Sequence, residues 1–177
     1  PDEDGPRYHV TVLAENQTGY ANLCRLLTRS HMEDLRGGPR LEIDAVLERP
    51  EGLILLTGCR RSPLLAALER GANEGENLAR RMLDAFGPDN LFVELQDNAV
   101  LGDLARNRAL GSLADRLGIP VVATGNVHYH VPARHQLQDI LVAICNRMTV
   151  DDSHALRRPN ACFHLASPRE MEWRVKT

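Results

Sequence analysis

Four short runs of apolar or β-branched residues alternate along the chain with amphipathic helical patterns, and this alternation limits the fold more than any other feature. The runs are YHVTVLA, GLILLTG, NLFVELQ and IPVVATG, and each precedes a segment with apolar residues at helical spacing. Strands that alternate with helices usually pair in parallel through helical crossovers. The sequence therefore predicts an α/β fold whose parallel strands form a small open sheet or an arc of a larger barrel.

Several helix ends carry recognisable cap signals. Thr18 is the expected N-cap of the first helix, and Gly118 is the expected glycine after the helix that precedes the fourth strand. Ser167, Pro168 and Glu170 have the spacing of a capping box with proline at its first helical position. No Pro- or Ser-rich linker and no repeat of fixed period interrupts the 177 residues, so we expect one domain.

Composition excludes several classes of protein. A net charge of −3 gives no bulk attraction to nucleic acid. No apolar run approaches the ~18 residues that a membrane span needs, and the polar start PDEDGPR is not a signal peptide. The four cysteines form no C-x-x-C pair, which predicts reduced, mostly buried thiols in a cytoplasmic protein.

Polar residues cluster after the third and fourth strands, where parallel β/α folds carry their sites. Glu94 and Gln96 share one face of the third strand. In GNVHYH, His128 and His130 would point the same way if the segment is extended, about 7 Å apart, so that both could bind one metal. Exposed loop histidines that never meet are the competing interpretation.

Two weaker signals are better explained by ordinary structure. Cys59, followed by two arginines, could act as a nucleophile, but a small turn residue is the favoured interpretation. The segment RRPN, Arg157 to Asn160, could meet a phosphate backbone, but a solvated basic surface is favoured. No glycine-rich nucleotide-binding loop is present.

Five segments in order carry a family resemblance. They are YHVTVLAENQTGYANLCRLL, EGLILLTGCRRSPLLAALERG, NLFVELQDN, ARNRALGSLADRLGIPVVATGNVHYH, and TVDDS with RRPNACFHLASPREM. Together they resemble the PHP (polymerase and histidinol phosphatase) domain at the front of bacterial DNA polymerase III alpha subunits, with the error-prone branch closest. The resemblance covers nearly all of residues 1–177.

The resemblance implies a distorted barrel of about seven parallel strands and a site for up to three Zn, Mn or Mg ions. In such sites, metal-generated hydroxide hydrolyses phosphodiesters, which serves 3′–5′ exonuclease proofreading. It also implies DNA and other polymerase domains or subunits as partners, in DNA replication or repair synthesis in the cytoplasm, with no membrane.

The resemblance implies four metal-ligand positions in this chain: His9, Asn98, Asn126 and His128. The family has histidine where Asn98 stands and aspartate where Asn126 stands, and asparagine is a weak, neutral ligand. His130 matches no ligand position. Glu94, Asp97 and His130 remain secondary candidates, although strand alternation points Asp97 away. We therefore expect weak or absent metal binding and no confident catalytic residue.

The family's opening motifs, H-x-H-S-x-Y-S, T-D-H and G-C-E, do not occur in the chain. We expect a fragment, the C-terminal portion of a PHP domain, which acts as a degenerate scaffold within a DNA-directed DNA polymerase. The first alternative is a metal-dependent phosphoesterase or 3′–5′ exonuclease of the same superfamily. The second is an interaction module that binds no metal.

An incomplete parallel barrel would expose strand edges and apolar flanks. We therefore predict self-association, as a homodimer in which these surfaces cover each other. Light scattering at micromolar concentration measures this directly. A monomeric mass would contradict the prediction.

Overall fold

The computed structural model describes residues 7–33 and 39–175, and in that part it confirms the predicted alternation of strands and helices. In chain order the elements are β1 (Thr11–Ala14), α1 (Gln17–Glu33), α2 (Ile43–Leu47), β2 (Leu53–Leu56), α3 (Pro63–Arg70), α4 (Ala72–Phe86), β3 (Leu91–Leu95), α5 (Asp103–Leu117), β4 (Val121–Ala123), α6 (His135–Cys145) and α7 (Pro168–Arg174). Within those ranges, no helix has the length and apolar character that a membrane crossing requires.

The strands form one four-stranded sheet in the order β1-β2-β3-β4. β2 and β3 are parallel, with Leu55 opposite Leu91, as predicted. The expectation of a parallel strand is wrong for β1, which runs antiparallel to β2 and places Thr11 opposite Leu56. The residue pattern identifies a strand without specifying its direction, and an antiparallel edge strand on an otherwise parallel sheet is common.

The chain divides into two compact units. Unit 1 comprises residues 1–94 and 110–122, and unit 2 comprises residues 95–109 and 123–177. No stretch rich in proline or serine marks the division, so composition does not reveal it.

The apolar core of unit 1 lies around β2 and β3. Its largest fully buried apolar side chains come from two strands and three helices: Leu53, Leu55, Leu64, Met82, Leu91, Val93 and Leu113. The continuous apolar run of β2 is buried or half-buried along its whole length, as expected for a strand covered on both faces.

Unit 2 combines a small apolar core with many buried polar groups. Tyr129, Ala143 and Phe163 are its buried apolar residues. The buried polar residues of this unit are Gln96, Asn98, Asp103, Asn107, Ser153 and His164. Buried polar groups must be hydrogen-bonded, so the folding of unit 2 depends on a polar network as well as on apolar contacts.

The cap predictions succeed in two of three places. The Ser167 and Glu170 capping box is confirmed, and Gly118 adopts a φ of 65° after α5. Thr18 is wrong as the N-cap of α1, because the helix already begins at Gln17. The Oδ1 atom of Asn16 instead accepts a hydrogen bond of 3.0 Å from the Gly19 amide, which is the bond of an N-cap asparagine.

Gly19 of α1 packs directly against the backbone of Gly52, and a Cβ atom there would lie 1.6 Å from the Gly52 carbonyl oxygen. We expect Gly19→Ala to lower the free energy of unfolding by about 3 kcal/mol, because backbone must move to make room. Gly111→Ala in α5 is the matched control, since no atom lies within 4 Å of where its Cβ would be. It should raise stability by about 0.5–1 kcal/mol, because alanine favours helix.

Urea denaturation of both variants checks this pair of expectations. Equal effects of the two substitutions would contradict the close contact between α1 and the turn before β2.

Candidate functional site

Two of the candidate residues lie in unit 1. The backbone amide of His9 donates to the Arg61 carbonyl at 2.8 Å, and its imidazole is exposed. The His9 Nδ1 atom lies 3.9 Å from the Cys59 Sγ atom. Glu94 is buried in β3, and its backbone amide donates to the Thr57 hydroxyl at 3.0 Å. Unit 1 thus contains one exposed imidazole and one buried carboxyl among the candidates.

Asn98 is buried in unit 2 and is bonded through both its backbone and its side chain. Its amide N–H donates to the Asp103 carboxylate at 2.9 Å, and its side-chain Nδ2 donates to the Cys162 carbonyl at 3.2 Å. Its backbone carbonyl accepts a 2.9 Å hydrogen bond from Asn160. The side chain at this position therefore joins two segments of unit 2.

Asp103, the first residue of α5, organises the loop after β3. Its carboxylate accepts from the amides of Asn98 and Val100 and from Arg106 Nη1 at 2.9 Å. Burial by itself would raise the pKa of Asp103. The hydrogen bonds from Asn98, Arg106 and Val100 together outweigh burial and hold this pKa below its usual value.

Arg106 and Asn107 extend the network to the carboxyl end of β3. Arg106 Nη2 donates to the Gln96 carbonyl at 2.8 Å, and Asn107 Nδ2 donates to the same oxygen at 3.1 Å. The Gln96 side chain in turn donates to the Thr124 hydroxyl at 3.0 Å. The first turns of α5 therefore hold the backbone that leads to Asn98.

Asn160 supplies the other side of the network. Its Nδ2 donates to the carbonyls of Asn98 and Ala99 at 2.9 and 3.0 Å, and its Oδ1 accepts from the Cys162 amide at 2.8 Å. The Tyr129 hydroxyl donates to its backbone carbonyl at 3.2 Å. Although Asn160 belongs to the basic RRPN segment, its side chain is a structural link between two backbone segments.

The fourth-strand candidates do not form a matched pair of histidines. The His128 amide donates to the Phe163 carbonyl at 2.8 Å, and its ring packs edge-on against Phe163 with centroids 6.0 Å apart. His130 is exposed, and in the described residues its segment forms a bridge between Tyr129 and His164 rather than a regular strand. Asn126 is half-buried beyond the end of β4.

His128 has an unusual environment for a ring nitrogen. Among the described residues, nothing forms a hydrogen bond with its buried Nε2 atom. Burial, and then the positive charge of Arg158, lower the pKa of His128 below 6.5, so the ring is neutral near pH 7. The Arg158 guanidinium lies 5.2 Å from the centre of the Phe163 ring.

The remaining secondary candidate, Asp97, is used locally. Its Oδ1 atom accepts from the Ala99 amide at 2.8 Å, which closes a turn in which Ala99 has a positive φ of 54°. The side chain thus shapes the loop that contains Asn98.

The donors of unit 2 do not fit the metal centre that the family resemblance implies. In residues 7–33 and 39–175, no three His, Cys, Asp or Glu side chains are grouped to hold a metal ion. Of the four implied ligand positions, unit 2 contains His128, with a neutral imidazole nitrogen, and Asn98 and Asn126, whose amide oxygens are weak ligands. Zinc sites use three or four protein ligands, and manganese or magnesium is held mainly by carboxylate and carbonyl oxygens. We therefore derive no chemical step through a metal.

The chain is similar to several known proteins. The family model described as "PHP domain" matches residues 2–98. The chain is 36% identical over 165 residues to the DNA polymerase III subunit alpha of Treponema pallidum, covering 93% of this chain and 14% of that protein. It is 37% identical over 180 residues to the error-prone DNA polymerase of Nocardia farcinica, covering 97% of this chain and 16% of the relative.

A second error-prone DNA polymerase, from Symbiobacterium thermophilum, is 33% identical over 180 residues, covering 93% of this chain and 17% of that protein. The chain thus spans about one sixth of the length of the curated relatives it matches.

The lowered pKa of Asp103 makes the stability of the protein pH-dependent. An unfolded chain takes up this proton near pH 3.8, whereas the folded chain does so only at lower pH. The contribution is therefore complete above pH 3.8 and is lost as pH falls through the folded pKa. We expect Asp103→Asn to flatten the fall in stability at acid pH, measured by urea denaturation from pH 6 downward.

Asp84→Asn, on the exposed surface of α4, is the control for that experiment and should keep the wild-type slope. Identical slopes for wild type and Asp103→Asn would show that the carboxylate is not held ionised by the loop.

Replacing Asn160 tests the network from its other side. Asn160→Ala removes two hydrogen bonds to the 98–99 backbone and a local one from the Cys162 amide, so we expect a loss of about 2–4 kcal/mol in the free energy of unfolding. Asn73→Ala, on the exposed first turn of α4, should change stability by less than about 0.5 kcal/mol. Denaturant titration measures both, and equal small effects would refute the structural role of Asn160.

Proposed function

Because the chain belongs to the PHP domain family, we propose that it serves as the PHP domain of a DNA-directed DNA polymerase of the DNA polymerase III alpha or error-prone class. The family match and the names of its relatives support this assignment. Polymerisation is the activity of such a polymerase as a whole, and in it this chain acts as a scaffold rather than as a nuclease. Its four-stranded sheet corresponds to an arc of the seven-stranded barrel implied by the family.

The state of Asn98 carries the scaffold proposal. The resemblance puts a metal-binding histidine at this position, but the asparagine is buried and its Nδ2 donates to the Cys162 carbonyl. A buried amide that lost this partner would cost roughly 1–3 kcal/mol. The position therefore serves folding through its Nδ2 atom, and the Oδ1 atom that remains is a neutral, weak ligand for an ion.

The network around Asn98 is suited to holding a surface rigid. It joins the loop after β3, the first turns of α5 and the 160–162 segment, and Arg174 of α7 donates to the same Cys162 carbonyl at 3.0 Å. Buried hydrogen-bond networks of this kind make the segments that they join rigid. Such a surface can dock other polymerase domains or subunits without an ordering cost at each encounter.

One observation favours a second function, hydrolysis of phosphodiesters as a metal-dependent phosphoesterase or 3′–5′ exonuclease. The neutral His128 ring has a buried Nε2 atom with no hydrogen-bond partner in the described residues, as an unoccupied ligand would. Hydrolysis would require Zn²⁺ or Mn²⁺ to bind weakly at this nitrogen.

A 3′–5′ exonuclease assay on primer–template DNA with Mn²⁺ or Zn²⁺ separates the two functions. We expect no nucleotide release above that of a His128→Ala variant, because the ligand set is incomplete. His130→Ala is the matched control, since it removes an exposed histidine two residues away. Activity that His128→Ala abolishes and His130→Ala preserves would replace the scaffold proposal by the nuclease.

Restoring the family's ligands tests the residue assignment itself. We expect Asn126→Asp combined with Asn98→His to increase Zn²⁺ or Mn²⁺ affinity, measured by calorimetry, because a charged oxygen and an imidazole replace two amides. The Asn98→His change alone should lower the free energy of unfolding by about 1–3 kcal/mol, because it disturbs the bond to Cys162. No gain in metal binding by a folded double variant would contradict the assignment.

The polymerase assignment has a separate test in the gene. We expect the reading frame to continue beyond this sequence into the remaining parts of a DNA polymerase. A reading frame that encodes only a small phosphoesterase would overturn it, whatever the nuclease assay shows.

A further inference from the structure

Helix α6 of unit 2 presents an apolar stripe to solvent. Its large apolar side chains recur at a spacing of three or four residues, which places them along one face of the helix. The α6 stripe consists of these residues and a methionine just past the helix, all 41–66% exposed: Leu137, Ile140, Leu141, Ile144 and Met148. The residue that α6 buries is the small Ala143. The helix thus reverses the usual pattern, in which the large apolar residues face the core.

The middle of this surface has no exposed charge. The exposed positions of α6 are Gln136, Leu137, Ile140, Leu141, Ile144 and Cys145, and none of them is an acidic or basic residue. The carboxylate of the helix, Asp139, is paired with Arg157 at 3.1 Å, and both side chains are mostly buried. A surface of this kind can meet a copy of itself without repulsion between like charges.

The two ends of the helix carry charges of opposite sign. Arg134 lies immediately before α6 and gives that end a charge of +1. One basic and two acidic residues follow the helix, Arg147, Asp151 and Asp152, and together they give a charge of −1. The helix dipole has the same polarity, positive at the first end and negative at the second. In an antiparallel pair of α6 helices, each end therefore lies beside the oppositely charged end of the other copy.

We propose that the α6 stripe is the interface of a homodimer, in which two copies of α6 pack antiparallel about a two-fold axis near Leu141. Leucine and isoleucine at this spacing interdigitate well between paired helices. A two-fold contact uses the same surface on both chains and closes after two copies, so the assembly is a dimer and nothing larger. The neutral middle and the complementary ends are what select a second copy as the occupant of the stripe.

This interface is a helix face, whereas the self-association expected from the sequence was assigned to strand edges and apolar flanks. It uses residues of unit 2 alone. It does not depend on metal binding, on nuclease activity or on the polymerase assignment, so its failure would leave the proposed function unaffected.

Sedimentation velocity of the purified chain at increasing micromolar concentration tests the interface. We expect the wild-type chain to reach twice its mass of 19.7 kDa. Ile144→Glu should raise the dissociation constant at least about a hundredfold, because it would bury an unpaired carboxylate between the helices. Leu27→Glu, at an exposed position of α1 in unit 1, is the matched control and should leave the dissociation constant unchanged. Circular dichroism checks that both variants keep the helical content of the wild type.

Charge reversal at the helix ends tests the antiparallel arrangement. Arg134→Glu should raise the dissociation constant about threefold, because it would face the acidic end of the other copy. Adding Asp151→Arg to that variant should restore the wild-type value, because the two ends are complementary again.

A wild-type chain that stays monomeric at high micromolar concentration, or a dimer that Ile144→Glu leaves intact, would overturn the proposal and favour another occupant of the stripe. A double variant that associates no better than Arg134→Glu would overturn the antiparallel arrangement.

Discussion

The geometry of unit 2 depends on the buried carboxylate of Asp103. A buried charge is tolerated only when it is paired and fully hydrogen-bonded, so the chain must bring donors to it. Two loop amides and Arg106 meet this requirement. In doing so they set the course of the backbone after β3 and place Asn98 where its amide reaches the Cys162 carbonyl. The Asp103 carboxylate thus fixes the position of the candidate residue Asn98, whose side chain then bonds to the Cys162 carbonyl.

In the proposed scaffold function, the same network gives one of the implied metal-ligand positions a structural role. The family has a histidine at this position, whereas Asn98 uses its Nδ2 atom to join two segments of unit 2. His128 shows the opposite state, a neutral ring whose Nε2 has no partner in the described ranges. Of these two implied ligand positions, one joins two segments of unit 2 and the other has a ring nitrogen without a partner in the described residues.

Much of the local structure could be predicted from the residue pattern. The continuous apolar run at Leu53–Leu56 is a buried strand. The spacing of Ser167 and Glu170 correctly predicts the capping box of α7. Thr18 failed as a cap because Asn16, two residues earlier, competes for the same helix end and succeeds. The cysteines were expected to be mostly buried, but Cys24 and Cys145 are exposed, because a position on a helix does not reveal which face is covered.

The sequence by itself determined the α/β class and the order of strands and helices. These follow from periodicity and residue type, which are local properties. Tertiary structure alone decided that β1 is antiparallel, that Asn98, Asp103 and Asn160 share a network, and that Cys59 faces His9 across 49 intervening residues. Such contacts join residues distant in the chain, and their partners are selected by packing and by the need to satisfy buried polar groups.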